Sequence, residues 1–387
     1  PPVPKSRPPP RPAPRPGSPP APIPPPPPGP GAPRGPPSPV ASFPRKGLLP
    51  LMISRPDRQA DLRAQHPDPS RSSGAVKVPA VPPLTGRDRW ILRMLHEHRV
   101  LTINQLADLA FPTAKIARRR LALLHRYRVL DRFRPLRPRG SAPFHWTLAP
   151  AGAAVLAAEA ATSVRDLGYN HQTTLAIAHS LHLTHTLGIN EWFTTLTTRH
   201  HDGGQVLAWW SQTRCQRLWG DLARPDAYGR YTHTPTGSTL DFFLEYDLAT
   251  TSLTRVAAKL HGYSELARTT GLITPVLIWL PTSLRETNTR DALRRSWERL
   301  PDPGAVPVAT AAAQLLAPLT DPSPADQVWL PLDRTVTRRL RLHELAAVWP
   351  RRTPPGPHHD TEQSAVTLGG QVLLAAPPPR PPTDEYR

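Results

Sequence analysis

The sequence predicts an α/β protein: a small, basic, mainly helical module ahead of a strand-containing α/β domain, with proline-rich segments on either side. Three observations carry this. Of 387 residues, 55 are proline, and about 30 of those precede residue 84. Positive charge is confined to the first part: residues 1–83 carry +9, residues 84–139 carry +10, and residues 140–387 carry none net. Beyond residue 200, short apolar runs of strand length alternate with segments of helical period. The organisation read from these is a disordered Pro/Arg-rich tail at 1–83, a basic module at 84–150, an α/β domain at 151–350 and a disordered Pro-rich tail at 351–387. The two tails hold too little apolar surface to offset the entropy of ordering them.

Composition narrows the function classes. A single cysteine, Cys215, excludes a disulfide framework and fits a reducing, cytoplasmic compartment. No apolar run approaches the length of a membrane span, and the basic start has no apolar core of the kind a secretory signal needs. A +10 module of 56 residues needs a polyanionic partner, and double-stranded DNA is the expected one.

Within the module, Thr85 and Asp88 form a capping pair ahead of a helix whose apolar face is Trp90, Ile91, Met94 and Leu95. Thr102 and Gln105 repeat the device before Leu106 and Leu109. Thr113 caps a third helix running to about Arg126. Its core side is read as Ile116, Leu121, Leu123 and Leu124, with Lys115, Arg118, Arg119 and Arg120 in its first turns. Residues 129–134 and 144–148 then pair as a hairpin with a basic tip at 135–140. Three helices followed by such a hairpin are a winged helix-turn-helix. Its expected DNA contacts are Lys115, Arg118, Arg119 and Arg120 on the third helix and Arg132, Arg134, Arg137 and Arg139 on the wing. The bland alternative is a solvated arginine-rich face or a protein-protein contact.

The α/β domain begins with an Ala-rich helix at 149–161 and a long helix at 170–198. Strands follow near 205–210, 226–232 and 240–246, then a helix at 253–268, a core strand at 274–280 and a helix at 284–300. Short strands near 306–309 and 327–330 close it. The run 240–246 carries Glu245 near its end and Asp247 two residues on, so both acids project from one face. Asp226, beside a turn-forming proline, joins them if the chain folds back. Clustered acids are costly to bury without a cation, and a hard divalent ion such as magnesium takes one or two carboxylates plus water. Only five of the 48 basic residues are lysines, and Lys259 alone lies beyond residue 115. An ammonium just after an acid-bearing strand suits the orientation of a water molecule. Asp, Glu and Lys in this order are the phosphodiesterase pattern of the restriction-endonuclease-like fold. The bland reading makes them solvated strand-end acids and a surface lysine.

Weaker constellations add little. His179, His182 and His185 drift around a helix and do not converge on one zinc ion. Trp209, Trp210 and Trp219 are read as core rather than as a base-stacking platform. No phosphate-cradling GxxxxGK[ST] loop occurs, and the tyrosines lack the His-rich motif of a strand-transferring relaxase.

Over about residues 84–345 the chain resembles the replication-relaxation family. The resemblance rests on Leu84-Thr85, on His185 with Asn190, on Arg224-Pro225-Asp226-Ala227, on Phe243-Leu244-Glu245-Tyr246-Asp247, and on Lys259-Leu260 with Tyr263. It implies a winged helix joined to a restriction-endonuclease-like domain, and a role in plasmid or mobile-element replication, relaxation or transfer. Two positions depart from the family pattern. Gln212 follows Ser211 where an acid is expected, and Ala249 stands where Glu-x-Asp is usually followed by glycine.

The expected chemistry is magnesium- or manganese-dependent phosphodiester cleavage. Asp226 and Glu245 hold the metal, Asp247 positions Lys259, and Lys259 orients the attacking water. The expected partners are double-stranded DNA and other replication or transfer proteins, in a bacterial nucleoid setting and with no membrane role. The competing expectation is a non-enzymatic accessory protein, or a transcriptional regulator, whose nuclease-like domain is degenerate.

Overall fold

Two capping boxes set the first helices. Thr85 accepts a hydrogen bond from the Asp88 amide at 3.2 Å, and Asp88 accepts the Thr85 amide at 2.9 Å, opening α1 (Gly86–His98). Thr102 and Gln105 make the same reciprocal pair at α2 (Ile103–Ala110), and Thr113 caps α3 (Ala114–Arg126). Each such cap contributes about 1 kcal/mol. The short β1 (Leu101–Thr102) and the hairpin of β2 (Leu130–Phe133) and β3 (His145–Leu148) form a three-stranded antiparallel sheet in the order β1-β3-β2.

The computed structural model describes residues 53–54, 83–136, 141–180, 182–199, 203–349 and 366–382. Arg137 and Arg139, and almost all of the proline-rich stretch 1–83, lie outside these residues. All described residues fall within the unit Gly47–Arg387.

Ile116, expected on the core side of α3, is 47% exposed. The buried stripe is Ala117, Leu121 and Leu124, spaced i, i+4, i+7, and Ile116 sits about 100° off it. The long helix expected at 170–198 is also broken. After α4 (Pro150–Glu159) come α5 (His171–Ala176), a 3₁₀ turn at Ile177–His179, and α6 (Leu183–Thr198). Ser180 takes an extended backbone between the pieces, and its hydroxyl accepts the His182 amide at 3.1 Å. Serine competes with helical bonding in this way.

The larger sheet is mixed, in the order β4-β5-β6-β7-β8-β9. Strands β4 (Gly204–Ser211), β5 (Ala227–His233) and β6 (Ser238–Tyr246) run antiparallel. Strands β6, β7 (Val276–Leu280) and β8 (Val308–Ala312) run parallel, and β9 (Leu330–Pro331) returns antiparallel. A helix not expected from sequence, α7 (Gln212–Trp219), connects β4 to β5.

Each face of the sheet packs a different core. On one, Phe242, Leu244 and Tyr246 join Trp192 and Phe193 of α6, with Phe193 stacked on Trp209 at 5.2 Å. On the other, Phe243, Tyr228 and Ile278 meet α8 (Leu253–Thr270) and α9 (Ser283–Trp297) through Leu260, Tyr263 and Leu293. Strand alternation therefore places Glu245, two residues after Phe243, toward α8. The first core also includes Trp90, Leu106, Leu121 and Trp146 of the basic module, so apolar packing runs on from the module to the sheet. Trp209, Trp210 and Trp219 are all buried, as their core reading requires.

Residues 366–382, expected within a disordered tail, are instead placed. Strands β10 (Val366–Leu368) and β11 (Gln371–Leu373) form a hairpin, and the chain beyond it lies against the body. Composition underestimates this stretch because Leu373 and several prolines find an apolar surface to bury against.

Candidate functional site

The site forms where the start of β5 meets the end of β6. Asp226 immediately precedes β5, and its amide donates to the Leu244 carbonyl at 3.1 Å. This pins the carboxylate beside Glu245. Ala227 pairs with Leu244 in the register that follows. Lys259 and Tyr263, one turn apart on α8, face the same point.

Asp226 and Glu245 are 4% and 5% exposed, so the partners of their oxygens decide their charge. Asp226 Oδ2 accepts the Tyr246 amide at 2.8 Å and His185 Nε2 at 3.2 Å. Its Oδ1 accepts the Gln212 side-chain amide at 3.2 Å and lies 3.8 Å from Lys259 Nζ. Glu245 accepts from the Lys259 ammonium on one oxygen and from the Tyr263 hydroxyl on the other. Two carboxylates, one just ahead of β5 and one on β6, thus converge on one cationic group. Lys259 keeps 40% of its side chain exposed, so the cluster opens to solvent on that side.

The electrostatics split the two acids. Burial opposes the charged form of Asp226, but the His185 and Lys259 charges outweigh it and hold the carboxyl well below its usual range. Burial and then the neighbouring Asp226 charge push Glu245 up. His185 would be lowered by burial, yet Asp226 reverses the direction and raises it. Burial likewise disfavours the Lys259 ammonium, and Glu245 and Asp226 more than restore it. The two acids are thus driven in opposite directions from their ordinary values.

Asp247 is engaged elsewhere. Its Oδ2 accepts from Arg285 Nε at 2.7 Å, and its Oδ1 takes the Ala249 amide at 3.0 Å. Arg285 lies in the first turn of α9, 38 residues on, with no local signal to reveal the pairing. Ala249 has φ +61°, a left-handed conformation that glycine adopts more easily.

A divalent cation fits Asp226 and Glu245 in kind, since both carboxylates already share one positive group. Among the described residues no group of three or more His, Cys, Asp or Glu is placed to hold a metal ion. Gln212 bears directly on that fit: where the pattern expects a third acid, an amide donates to Asp226 and occupies one of its lone pairs.

On the basic module, Lys115, Arg118 and Arg119 are exposed on the first turns of α3. Arg120 is not free: it makes a bidentate pair with the buried Asp88, its Nε donating to Oδ1 at 2.9 Å. Arg132 and Arg134 lie over the Phe144 ring at 4.2 and 3.9 Å to its centroid, which stiffens both side chains. Of the three histidines, only His185 reaches the carboxylate site.

Residues 92–277 match the replication-relaxation family model. No curated protein and no solved structure matches the chain. Among the described residues no helix is long and apolar enough to cross a membrane.

Proposed function

We propose, with residues 92–277 belonging to the replication-relaxation family, that this chain is a DNA-binding protein of plasmid or mobile-element replication or transfer, and that its carboxylate cluster is a metal-assisted phosphodiester-cleaving site. The basic module acts as a winged helix-turn-helix, and the mixed sheet with its flanking helices acts as the nuclease-like domain. The observation that carries the reading is the convergence of Asp226, Glu245 and Lys259 at the junction of β5, β6 and α8.

Asp226 and Glu245 would hold magnesium or manganese, and a cation there supplies Lewis-acid polarisation of the scissile phosphate. The chain's own residues do the rest. Asp226 stays ionised over the whole physiological range because His185 and Lys259 hold it so. Glu245, raised by burial and by the Asp226 charge, must give up its proton before it can hold a cation. Lys259, exposed on one side, is placed to orient a water and to neutralise charge developing on a phosphate oxygen. Lys115, Arg118 and Arg119 bring the duplex to the protein by contact with its phosphates.

A second reading is favoured by one specific contact, the Gln212 amide on Asp226. It describes an accessory protein that binds DNA through α3 and clamps it without cutting. Incubation of supercoiled plasmid with magnesium or manganese separates the two. The first reading expects open-circular product that Asp226→Ala abolishes. Equal, background nicking by both proteins leaves the accessory reading standing.

A further inference from the structure

The stretch that follows β11 is held in the manner of a bound ligand. Pro377, Pro379 and Pro381 are buried, while Pro378, Arg380 and Pro382 are exposed, so alternate residues face the body. The indole Nε1 of Trp90 donates to the Pro378 carbonyl at 2.7 Å. Arg380 Nη2 donates to the Thr197 carbonyl, and Arg214 Nη2 to the Leu374 carbonyl, each at 2.7 Å. A proline-rich chain makes no hydrogen bonds within itself, so its carbonyls await external donors. An aromatic N–H directed at a proline carbonyl, between prolines that fill the surface, is how proline-rich ligands are recognised by aromatic-lined grooves.

The docked pentapeptide Pro377-Pro378-Pro379-Arg380-Pro381 occurs a second time in the chain, as Pro8-Pro9-Pro10-Arg11-Pro12. Every group used by the docked copy is present in the other: the prolines, the carbonyl that Trp90 grasps, and the arginine that reaches Thr197.

We propose that the cleft running from Trp90 to Thr197 is a recognition site for proline-arginine segments, occupied by residues 377–381 of its own chain, and that the segment exchanging with it is Pro8–Pro12 of a second copy. Exchange replaces each contact by its equivalent, so local concentration sets the balance. The tethered segment enjoys a high effective concentration. The cleft is therefore self-filled in a dilute chain and opens to a neighbour's segment when copies crowd together. The resulting contact joins unlike surfaces of two copies, which permits runs of more than two.

The test uses the full-length chain carrying Pro377→Ala, Pro379→Ala and Arg380→Ala, which weakens the tethered occupant. A fluorescent peptide of residues 5–16 should bind this variant and bind the wild type at least tenfold less well. Trp90→Phe in the variant, which removes the indole donor, should weaken peptide binding roughly fivefold, as should Arg11→Ala in the peptide. No binding to the folded variant overturns the cleft as a recognition site. Should the variant fail to fold, excess peptide added to wild type must speed hydrogen exchange of the amides at 371–376, and unchanged exchange is equally fatal. Sedimentation equilibrium tests the source. The variant should self-associate with rising concentration, and replacing residues 8–12 by a Gly/Ser stretch should return it to monomer. A monomer at every concentration, despite peptide binding, overturns the second copy as occupant.

Discussion

The side-chain amide of Gln212 donates to Asp226 at 3.2 Å, at a position where the sequence resemblance predicts an acid. A neutral donor there supports the Asp226 charge without a metal, whereas a carboxylate would need one. Gln212→Glu should destabilise the metal-free protein by about 1–2 kcal/mol through weaker hydrogen bonding and added repulsion. The same change should increase the rise in melting temperature produced by millimolar magnesium. Calorimetry with and without the ion reads both effects, and a metal response equal to wild type would remove Gln212 from the account.

Glu245 gives a pH-dependent prediction. Its folded pKa is raised, so the protonated form is the one the fold favours, and the stability it contributes at low pH is lost as pH rises through the folded value. A cation needs the ionised form. Magnesium affinity should therefore climb with pH across that titration, with release of one proton per ion bound. Glu245→Gln should leave the metal-free fold intact or steadier and abolish the thermal shift with metal. A shift that survives the substitution places the ion elsewhere.

Arg120 should part company with its neighbours. Arg118→Ala and Arg119→Ala should weaken DNA binding and lower the salt slope by roughly one for each phosphate left unneutralised, with melting temperature unchanged. Arg120→Ala leaves Asp88 buried with only Thr85 for company and should cost about 2–3 kcal/mol of stability. Denaturant titrations beside binding isotherms at several salt concentrations distinguish the two classes. Equal salt slopes for all the variants would move the electrostatic footprint off α3.

Ala249 predicts a gain. At φ +61° an alanine carries strain that glycine does not, and only part of that relief is returned as glycine's greater unfolded entropy. Ala249→Gly should stabilise by about 0.5–1 kcal/mol. It should also leave the hydrogen bond from the backbone amide at position 249 to Asp247 in place. A drop in stability would mean that the turn tolerates alanine for packing reasons.

Acid should loosen the contact between α1 and the larger sheet. Burial lowers His98 to about 4, and the buried Glu97 is brought down to about 2 against burial by the Arg214 charge. A histidine kept neutral contributes stability above its unfolded value near 6.5 and loses it as pH falls toward 4, an effect of about 3 kcal/mol. The Glu97 contribution is present above its unfolded value near 4.5 and disappears as pH falls toward 2. His98→Phe, which keeps a ring stacked on Trp209, should flatten the upper part of that profile. An unaltered acid transition would acquit His98.

What is legible along the chain is local. Thr85 with Asp88 and Thr102 with Gln105 signal their helices within four residues, and the run 240–246 signals a buried strand by composition alone. Lys259 stands out by rarity, and the structure sets it against Glu245 and Asp226. What is not legible depends on partners far along the chain. Asp247 turns to Arg285, and Arg120 turns to an Asp88 that reads locally as a cap and nothing more. The helix Gln212–Trp219 is hidden because it is short and its apolar residues, Cys215, Leu218 and Trp219, span little more than one turn. Residues 374–382 read as unstructured because the surface that orders them is supplied by α1, α6 and α7, not by their own composition.

Glu97 of α1 and Arg214 of α7 form a bidentate pair, 2.8 and 2.9 Å, that is almost wholly shielded from water, and Glu97 also takes the Ser211 amide at 3.0 Å. One residue from Ser211 stands Gln212, and Gln212 touches Asp226. An unbroken line of short contacts therefore runs from the first helix of the basic module to the carboxylates. On the proposed function that line would act as a ruler: with α3 on a duplex and the carboxylates acting on it, the phosphate met by Asp226 and Glu245 would lie a set number of base pairs away, and lengthening a loop elsewhere would leave that spacing unchanged.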